Sequence, residues 1–185
     1  MNLPNKITCF RMILIPIFAA ILLIDTIPAY NIIALVIFCV ACLTDFLDGY
    51  LARKNNLVTN FGKFMDPLAD KVLVSTAMII LVSLDILPSW IAAIIIAREF
   101  IISGFRQVAA DAGVVIAAGY IGKVKTNFQM FMCIFMILSA NPDYDSKFFD
   151  VISVLGQICM WIALVLTVWS LVDYIWKNRQ VIADA

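Results

Sequence analysis

The most informative absence from this chain of 185 residues is histidine, of which it has none. Charged residues are also few, at 14% of the chain, whereas 64% of the residues are hydrophobic and the mean hydropathy is +1.01. No ordinary soluble domain has such a composition, so the sequence predicts an integral membrane protein. Without histidine, any metal must be held by oxygen ligands, which favours magnesium or manganese over zinc.

Several other familiar signals are missing. The five cysteines all lie in or beside apolar runs, so we expect no disulfides, and we interpret the Cys39 and Cys42 pair as packing residues. The first apolar run has no small-residue cleavage site, so no removable signal peptide is expected. No repeat or second domain is recognisable, and residues 1–185 are expected to form one integral membrane catalytic domain. Neither a nucleophile elbow nor a P-loop is present.

Six segments are apolar and long enough to cross about 30 Å of hydrocarbon, which takes about 20 helical residues. Polar or proline-containing breaks separate them. The fold class predicted is therefore an all-α bundle of six transmembrane helices. Nearly all lysines and arginines fall on the side of the two termini, so the positive-inside rule predicts that both termini are cytoplasmic. The predicted spans are residues 7–25, 31–50, 66–87, 89–108, 121–140 and 150–175.

Four aspartates interrupt the second and third spans in the pattern D-x2-D-G-x2-A-R-x8-G-x3-D-x3-D. An ionised carboxylate near hydrocarbon costs about 2.5 to 3.5 kcal/mol, and bound divalent cations are the simplest counter-charge for four of them. Asp45 and Asp48 share one face of their helix. Asp66 and Asp70 share a face of the next, so the two pairs can oppose each other and hold two hard cations. Pro67 is expected in the first turn of the third helix.

Small residues inside this pattern predict access for a bulky ligand. Gly49 and Ala52 leave open the groove beside Asp48. Arg53 offers a planar fork to phosphate oxygens, and Gly62 opens the approach from the third span. The pattern therefore indicates a phosphate-containing ligand at the cytoplasmic ends of the two spans.

The stretch from Asp45 to Asp70 resembles the signature of the CDP-alcohol phosphatidyltransferase family at every fixed position. Residues 1–8, 98–100 and 122–126 resemble one branch of that family. The resemblance implies transfer of a phosphatidyl group from CDP-diacylglycerol to sn-glycerol 3-phosphate, with release of CMP. It also implies a homodimer in the cytoplasmic membrane of a bacterium, with the active site facing the cytosol.

The resemblance also implies roles for individual residues. Asp45 and Asp66 would bridge two divalent cations, Mg2+ or Mn2+. Asp48 would complete the first metal site, and Asp70 would bind the second cation and act as general base. The residues expected to bind CDP-diacylglycerol are Pro4, Asn5, Gly49, Ala52, Arg53, Thr59 and Gly62.

Basic residues in the later helices are expected to bind the acceptor phosphate. Arg98 lies well inside the fourth span, and Arg106 is about two turns further along a similar face. Lys123 and Lys125 begin the fifth span. Basic residues within a membrane often mark a functional site, and several together suit a phosphorylated acceptor better than serine or choline. The alternatives are an internal ion pair between Arg98 and Glu99, and ordinary interfacial anchoring by the two lysines.

Other functions remain open on the sequence alone. Inositol-phosphate transfer or cardiolipin synthesis would use the same aspartates with a different acceptor pocket. A cation transporter would need carboxylates distributed along a route through the bilayer. Here they cluster at one depth beside an arginine, which favours the enzyme. No nucleic-acid partner is expected.

Overall fold

The computed structural model describes residues 2–24, 26–54, 60–111, 119–141 and 147–177. Within these ranges the chain forms α-helices and no strand, so the prediction of an all-α protein is confirmed for this part of the chain. The helices are α1 Leu3–Leu23, α2 Tyr30–Lys54, α3 Asn60–Ser83, α4 Ser89–Asp111, α5 Tyr120–Leu138 and α6 Lys147–Lys177.

Three of these helices contain stretches that are long and apolar enough to cross a membrane: Asn5–Leu23, Ile121–Leu138 and Lys147–Lys177. A shorter apolar stretch, Tyr30–Asp45, lies in α2. Large apolar side chains also cover the outside of the bundle, among them Trp161, Val165 and Trp169 of α6. Such a surface suits lipid rather than water, and the chain is a membrane protein.

Two helices extend further than the hydropathy pattern indicates. Helix α2 continues to Lys54 and α3 begins at Asn60, so most of the break predicted at residues 52–63 is helical. Hydropathy marks only the part of a helix suited to hydrocarbon, whereas backbone hydrogen bonding continues into polar residues. The placement of Pro67 in a first turn was therefore wrong, because this residue lies about two turns inside α3. Membrane helices accommodate an internal proline through their neighbours.

Side chains from all six helices meet in one hydrophobic core. Helix α1 packs on α2 and α3, whereas α5 packs on α6, α2 and α3, and α4 bridges α3 and α6. The rings of Phe18 and Phe38 lie 5.6 Å apart where α1 meets α2. Helix α6 approaches α5 closely at Gly156, where a Cβ atom would lie 3.1 Å from Cγ of Met136. This packing fixes α3, α4 and α5 around the charged residues described next.

Candidate active site

One face of the first half of α1 is polar and buried. It carries Asn5, Thr8 and Arg11 at every third position. Buried polar side chains require partners. Thr8 donates a hydrogen bond from Oγ1 to Oδ1 of Asp66 at 2.8 Å, and Arg11 donates from Nη1 to Oδ1 of Asp45 at 2.5 Å. Helix α1 therefore contacts carboxylates of both α2 and α3.

Two of the four predicted aspartates, Asp45 of α2 and Asp70 of α3, lie near each other. Asp70 interacts electrostatically with Asp45 and also with Arg11. Asp66 is linked to these residues through α1, because its partner Thr8 lies one turn before Arg11 on that helix. We refer to the residues linked in this way as the aspartate cluster: Thr8, Arg11, Asp45, Asp66 and Asp70.

Thr8 and Arg11 were not among the predicted site residues. Arg11 was assigned only to the basic residues of the cytoplasmic side, and Thr8 only to the opening run that resembles the family. The signal in the sequence is the polar residue at every third position of an otherwise apolar helix, which places one polar stripe toward the interior.

The donor atoms of the aspartate cluster fit a hard divalent cation. Carboxylate oxygens are the ligands that Mg2+ and Mn2+ prefer. The side chain of Asp45 is 42% exposed, so its oxygens are accessible. Among the side chains that the structure describes, no three of the types Asp, Glu, Cys and His lie close enough to hold one ion together. The side chain of Asp48 is not among them.

The side chains of only two of the residues predicted to bind the donor are described, Asn5 and Gly62. Asn5 is buried in α1 beside the aspartate cluster, and Gly62 is buried in α3. Thr59 lies outside the described residues. Four others lie within α1 or α2, but their side chains are outside the described part of the structure: Pro4, Gly49, Ala52 and Arg53.

A cavity of about 170 Å3 lies between α3, α4, α5 and α6, and we refer to it as the outer cavity. Arg98 and Arg106 line it from α4, as expected for residues about two turns apart on one face. Lys123 lines it from α5, so three of the four residues predicted for the acceptor phosphate meet here. Lys71 of α3 adds a fourth cation that was not predicted.

The fourth predicted residue, Lys125, is placed differently. It is fully buried in α5 and forms an ion pair with the carboxylate of Glu99, and it does not line the outer cavity. Glu99 also binds Arg98, with 3.3 Å between Oε1 and Nη1. The internal pair that was the alternative for Arg98 is thus present, and Arg98 faces the cavity as well. Glu99 joins two cations that would otherwise repel each other.

A smaller inner cavity of about 30 Å3 adjoins the outer one. The two cavities share Lys71, Glu99 and Thr126 in their linings. The inner cavity is also lined by Asp70 and Gln129. The aspartate that was predicted to be the general base therefore faces a cavity next to the basic residues of the outer cavity.

A short hydrogen-bonded chain holds the wall between the cavities. Nζ of Lys71 donates to Oγ of Ser103, and this hydroxyl donates to the backbone carbonyl of Glu99 at 2.5 Å. Helices α3 and α4 are thereby linked beside Asp70. Lys71 had been counted only as a cytoplasmic basic residue, although its position directly after Asp70 was the signal that it belongs to the site.

Comparison with known proteins identifies the family that this chain matches. Residues 1–169 match the family model "CDP-alcohol phosphatidyltransferase". The chain is 44% identical to the CDP-diacylglycerol–glycerol-3-phosphate 3-phosphatidyltransferase of Bacillus subtilis (strain 168), covering 97% of this chain and 96% of the relative. Proteins of the same name from Rickettsia felis and Salmonella paratyphi A are 40% and 39% identical. These matches cover 90% and 99% of this chain and 90% and 98% of the relatives.

Proposed function

The chain belongs to the CDP-alcohol phosphatidyltransferase family, and from this premise we propose that it transfers the phosphatidyl group of CDP-diacylglycerol to the 1-hydroxyl of sn-glycerol 3-phosphate, releasing CMP. Relatives named for this reaction cover nearly the whole chain. The structural observation that carries the assignment is the junction of the two cavities. It places a basic pocket next to Asp70.

The outer cavity suits the phosphate of the acceptor. Arginine forks bind phosphate oxygens in pairs, and Arg98 and Arg106 both face the cavity. Lys71 and Lys123 add charge from two further helices. We assign Lys125 an indirect part in phosphate binding, because its ion pair with Glu99 holds the carboxylate that also binds Arg98. An acceptor without a phosphate would leave the four cations of the outer cavity with Glu99 as the single carboxylate among its lining residues.

The inner cavity suits the reacting hydroxyl. Asp70 would accept the proton of the 1-hydroxyl while that oxygen attacks the phosphorus that carries diacylglycerol. One oxygen–phosphorus bond forms, and the bond from that phosphorus to the bridging oxygen of the pyrophosphate breaks. CMP leaves with the bonding electrons. This direct displacement requires no covalent enzyme intermediate.

Two divalent cations, Mg2+ or Mn2+, complete the proposed site. Bound cations would neutralise charge on the pyrophosphate of the donor. The carboxylate donor set and the absence of histidine support this assignment. The residues proposed to hold them are Asp45, Asp48, Asp66 and Asp70.

The donor is proposed to lie across the cytoplasmic ends of α1, α2 and α3. Asn5 supports this placement, because it belongs to the same buried polar face of α1 as Thr8 and Arg11. Buried Gly62 lies one turn before Asp66 on α3. The full set proposed for the donor is Pro4, Asn5, Gly49, Ala52, Arg53, Thr59 and Gly62.

We propose that all 185 residues form one catalytic domain with six transmembrane helices and with both termini and the site on the cytosolic side of a bacterial cell membrane. The common core of the six helices and the distribution of lysine and arginine support this topology. The family resemblance supports a homodimer.

An acceptor panel tests the proposed function. Purified protein, labelled CDP-diacylglycerol and Mg2+ would be incubated with glycerol 3-phosphate, glycerol, serine, inositol phosphate or phosphatidylglycerol. We expect CMP and a labelled phosphatidylglycerophosphate only with glycerol 3-phosphate. Equal use of glycerol or serine would contradict the assigned acceptor, and efficient use of inositol phosphate or phosphatidylglycerol would reassign the branch. The absence of CMP with every acceptor would refute the activity.

A further inference from the structure

Gln129 of α5 carries an unused donor beside the inner cavity. The residue is 2% exposed and lines this cavity together with Asp70. Its amide nitrogen Nε2 is buried and has no hydrogen-bond partner among the residues that the structure describes. Buried polar groups are almost always paired, so a donor of this kind in the wall of a cavity indicates a ligand.

The size and lining of the inner cavity limit what that ligand is. About 30 Å3 accommodates one or two groups the size of a water molecule or a hydroxyl. Ser75 and Thr126 add hydroxyls to a wall that already carries the carboxylates of Asp70 and Glu99. Val74 and Met78 also line the cavity, so it suits a hydroxyl together with the carbon atom that carries it, rather than a second phosphate.

We propose that Gln129 binds the 2-hydroxyl of the acceptor and so selects acceptors that carry a hydroxyl next to the reacting one. The inference rests on the proposed function. With the phosphate in the outer cavity, the carbon chain of glycerol 3-phosphate passes Lys71, Glu99 and Thr126. Its last two hydroxyls then lie in the inner cavity, one toward Asp70 on α3 and one toward Gln129 on α5.

The 2-hydroxyl is the better partner for Gln129 on chemical grounds. The oxygen of the 1-hydroxyl must keep a lone pair free to attack phosphorus, and a strong donor to that oxygen would weaken it as a nucleophile. A donor to the neighbouring oxygen fixes the position of the chain without this effect. Gln129 is thus assigned to binding and specificity, and Asp70 alone to proton transfer.

The test compares glycerol 3-phosphate with 3-hydroxypropyl phosphate, which keeps the phosphate and the reacting hydroxyl but lacks the 2-hydroxyl. We expect wild-type protein to use glycerol 3-phosphate with a kcat/KM roughly tenfold higher or more, because the analogue leaves a buried donor unpaired. Gln129→Met should reduce this preference to about twofold or less. The variant should have a lower kcat/KM for glycerol 3-phosphate, whereas its kcat/KM for the analogue should change less than about threefold.

Gln157→Met is the matched control, because Gln157 lies exposed on α6 and lines neither cavity. It should keep the wild-type preference. Two results would overturn the role of Gln129. One is equal use of both acceptors by wild-type protein, which is decisive whether or not the variant folds. The other is a loss in Gln129→Met that is the same for both acceptors. If wild-type protein transferred nothing to glycerol 3-phosphate, the proposed function itself would fail, and this inference with it.

Discussion

The aspartate cluster and the outer cavity are both charged sites inside an apolar bundle, but they are assembled differently. The carboxylates come from one contiguous stretch, Asp45 to Asp70, and α1 contributes Thr8 and Arg11. The cations of the outer cavity come from three helices, between Lys71 and Lys123. A site that must surround small ions constrains residue spacing tightly, whereas a site for a whole phosphate requires only that enough positive groups converge.

The two sites also differ in how their charges are compensated. In the aspartate cluster the one arginine, fully buried Arg11, is paired with Asp45, so the other carboxylates are left with negative charge that bound cations would compensate. In the outer cavity Arg98 is buried and shares Glu99 with Lys125, whereas Arg106 and Lys123 are exposed. We therefore expect substitutions in the aspartate cluster to slow the chemical step and substitutions in the outer cavity to weaken acceptor binding. Within each site, the substitution of a more buried side chain should have the larger effect.

Removal of divalent cations should abolish the role of the aspartate cluster and leave the role of the outer cavity intact. Activity should vanish in EDTA and return with Mg2+ or Mn2+ but little with Zn2+, because only carboxylate ligands are offered. Binding of glycerol 3-phosphate, measured by titration calorimetry, should persist in EDTA because the outer cavity contains no part of the proposed metal site. Full activity in a metal-stripped preparation would contradict the proposed cation sites.

Asp70→Asn should have the largest effect of any single substitution. Loss of a general base and metal ligand should lower kcat at least ~100-fold, with less damage to CDP-diacylglycerol binding. CMP release and calorimetry with the donor would measure the two effects. Asp150→Asn, an exposed carboxylate in the first turn of α6, is the matched control and should leave both unchanged. Turnover of the Asp70 variant within about tenfold of wild type would refute the assignment.

Arg98→Ala and Arg106→Ala should raise the acceptor KM roughly tenfold to a hundredfold, because each removes a charge-assisted hydrogen bond worth about 1.5 to 3 kcal/mol. Arg98 should show the larger effect, since it is the more buried of the two. The donor KM should barely change. Arg53→Ala should raise the donor KM and leave the acceptor KM nearly unchanged. Steady-state kinetics with each substrate varied in turn would decide, and a rise confined to the donor KM in the α4 variants would reverse the assignment.

Thr8→Val should have the smallest effect of the series. It keeps the shape of the side chain but removes the 2.8 Å hydrogen bond to Asp66, so we expect kcat to fall about threefold to tenfold. Thr8→Ser keeps the hydroxyl and should restore most of the loss. If Thr8→Ser were as impaired as Thr8→Val, the Thr8 side chain would contribute to kcat through packing and not by orienting the carboxylate of Asp66.

The all-α character of the described chain and the proximity of Asp45 and Asp70 were predictable because both depend on local pattern. Apolar runs indicate helices, and spacing places each aspartate on a helix face. The partners Thr8 and Arg11 were not predictable in the same way, because their contacts span 58 and 34 residues of sequence. The start of α3, about two turns before Pro67, was missed because hydropathy does not indicate where backbone hydrogen bonding begins.

The outer cavity was predictable only in part. A charged residue in an apolar helix is conspicuous, so Arg98, Arg106 and Lys123 were found. The sequence does not show whether such a residue faces a cavity or a buried counter-charge. That distinction separates Lys71, which lines the cavity, from Lys125, which pairs with Glu99. Gln129 carries no charge and became visible only through the cavity that it lines.

The small volume beside Asp70 bears on a competition that every transfer to an alcohol faces. Water is a smaller and far more abundant nucleophile, and its attack would convert the donor to phosphatidic acid and CMP. A space of about 30 Å3 holds only one or two water molecules, and with the acceptor placed as proposed its carbon chain would displace them while its phosphate fills the neighbouring pocket. Excluding solvent in this way would suppress hydrolysis. The narrowness of this space would thus decide what share of the activated lipid becomes phospholipid and what share is hydrolysed.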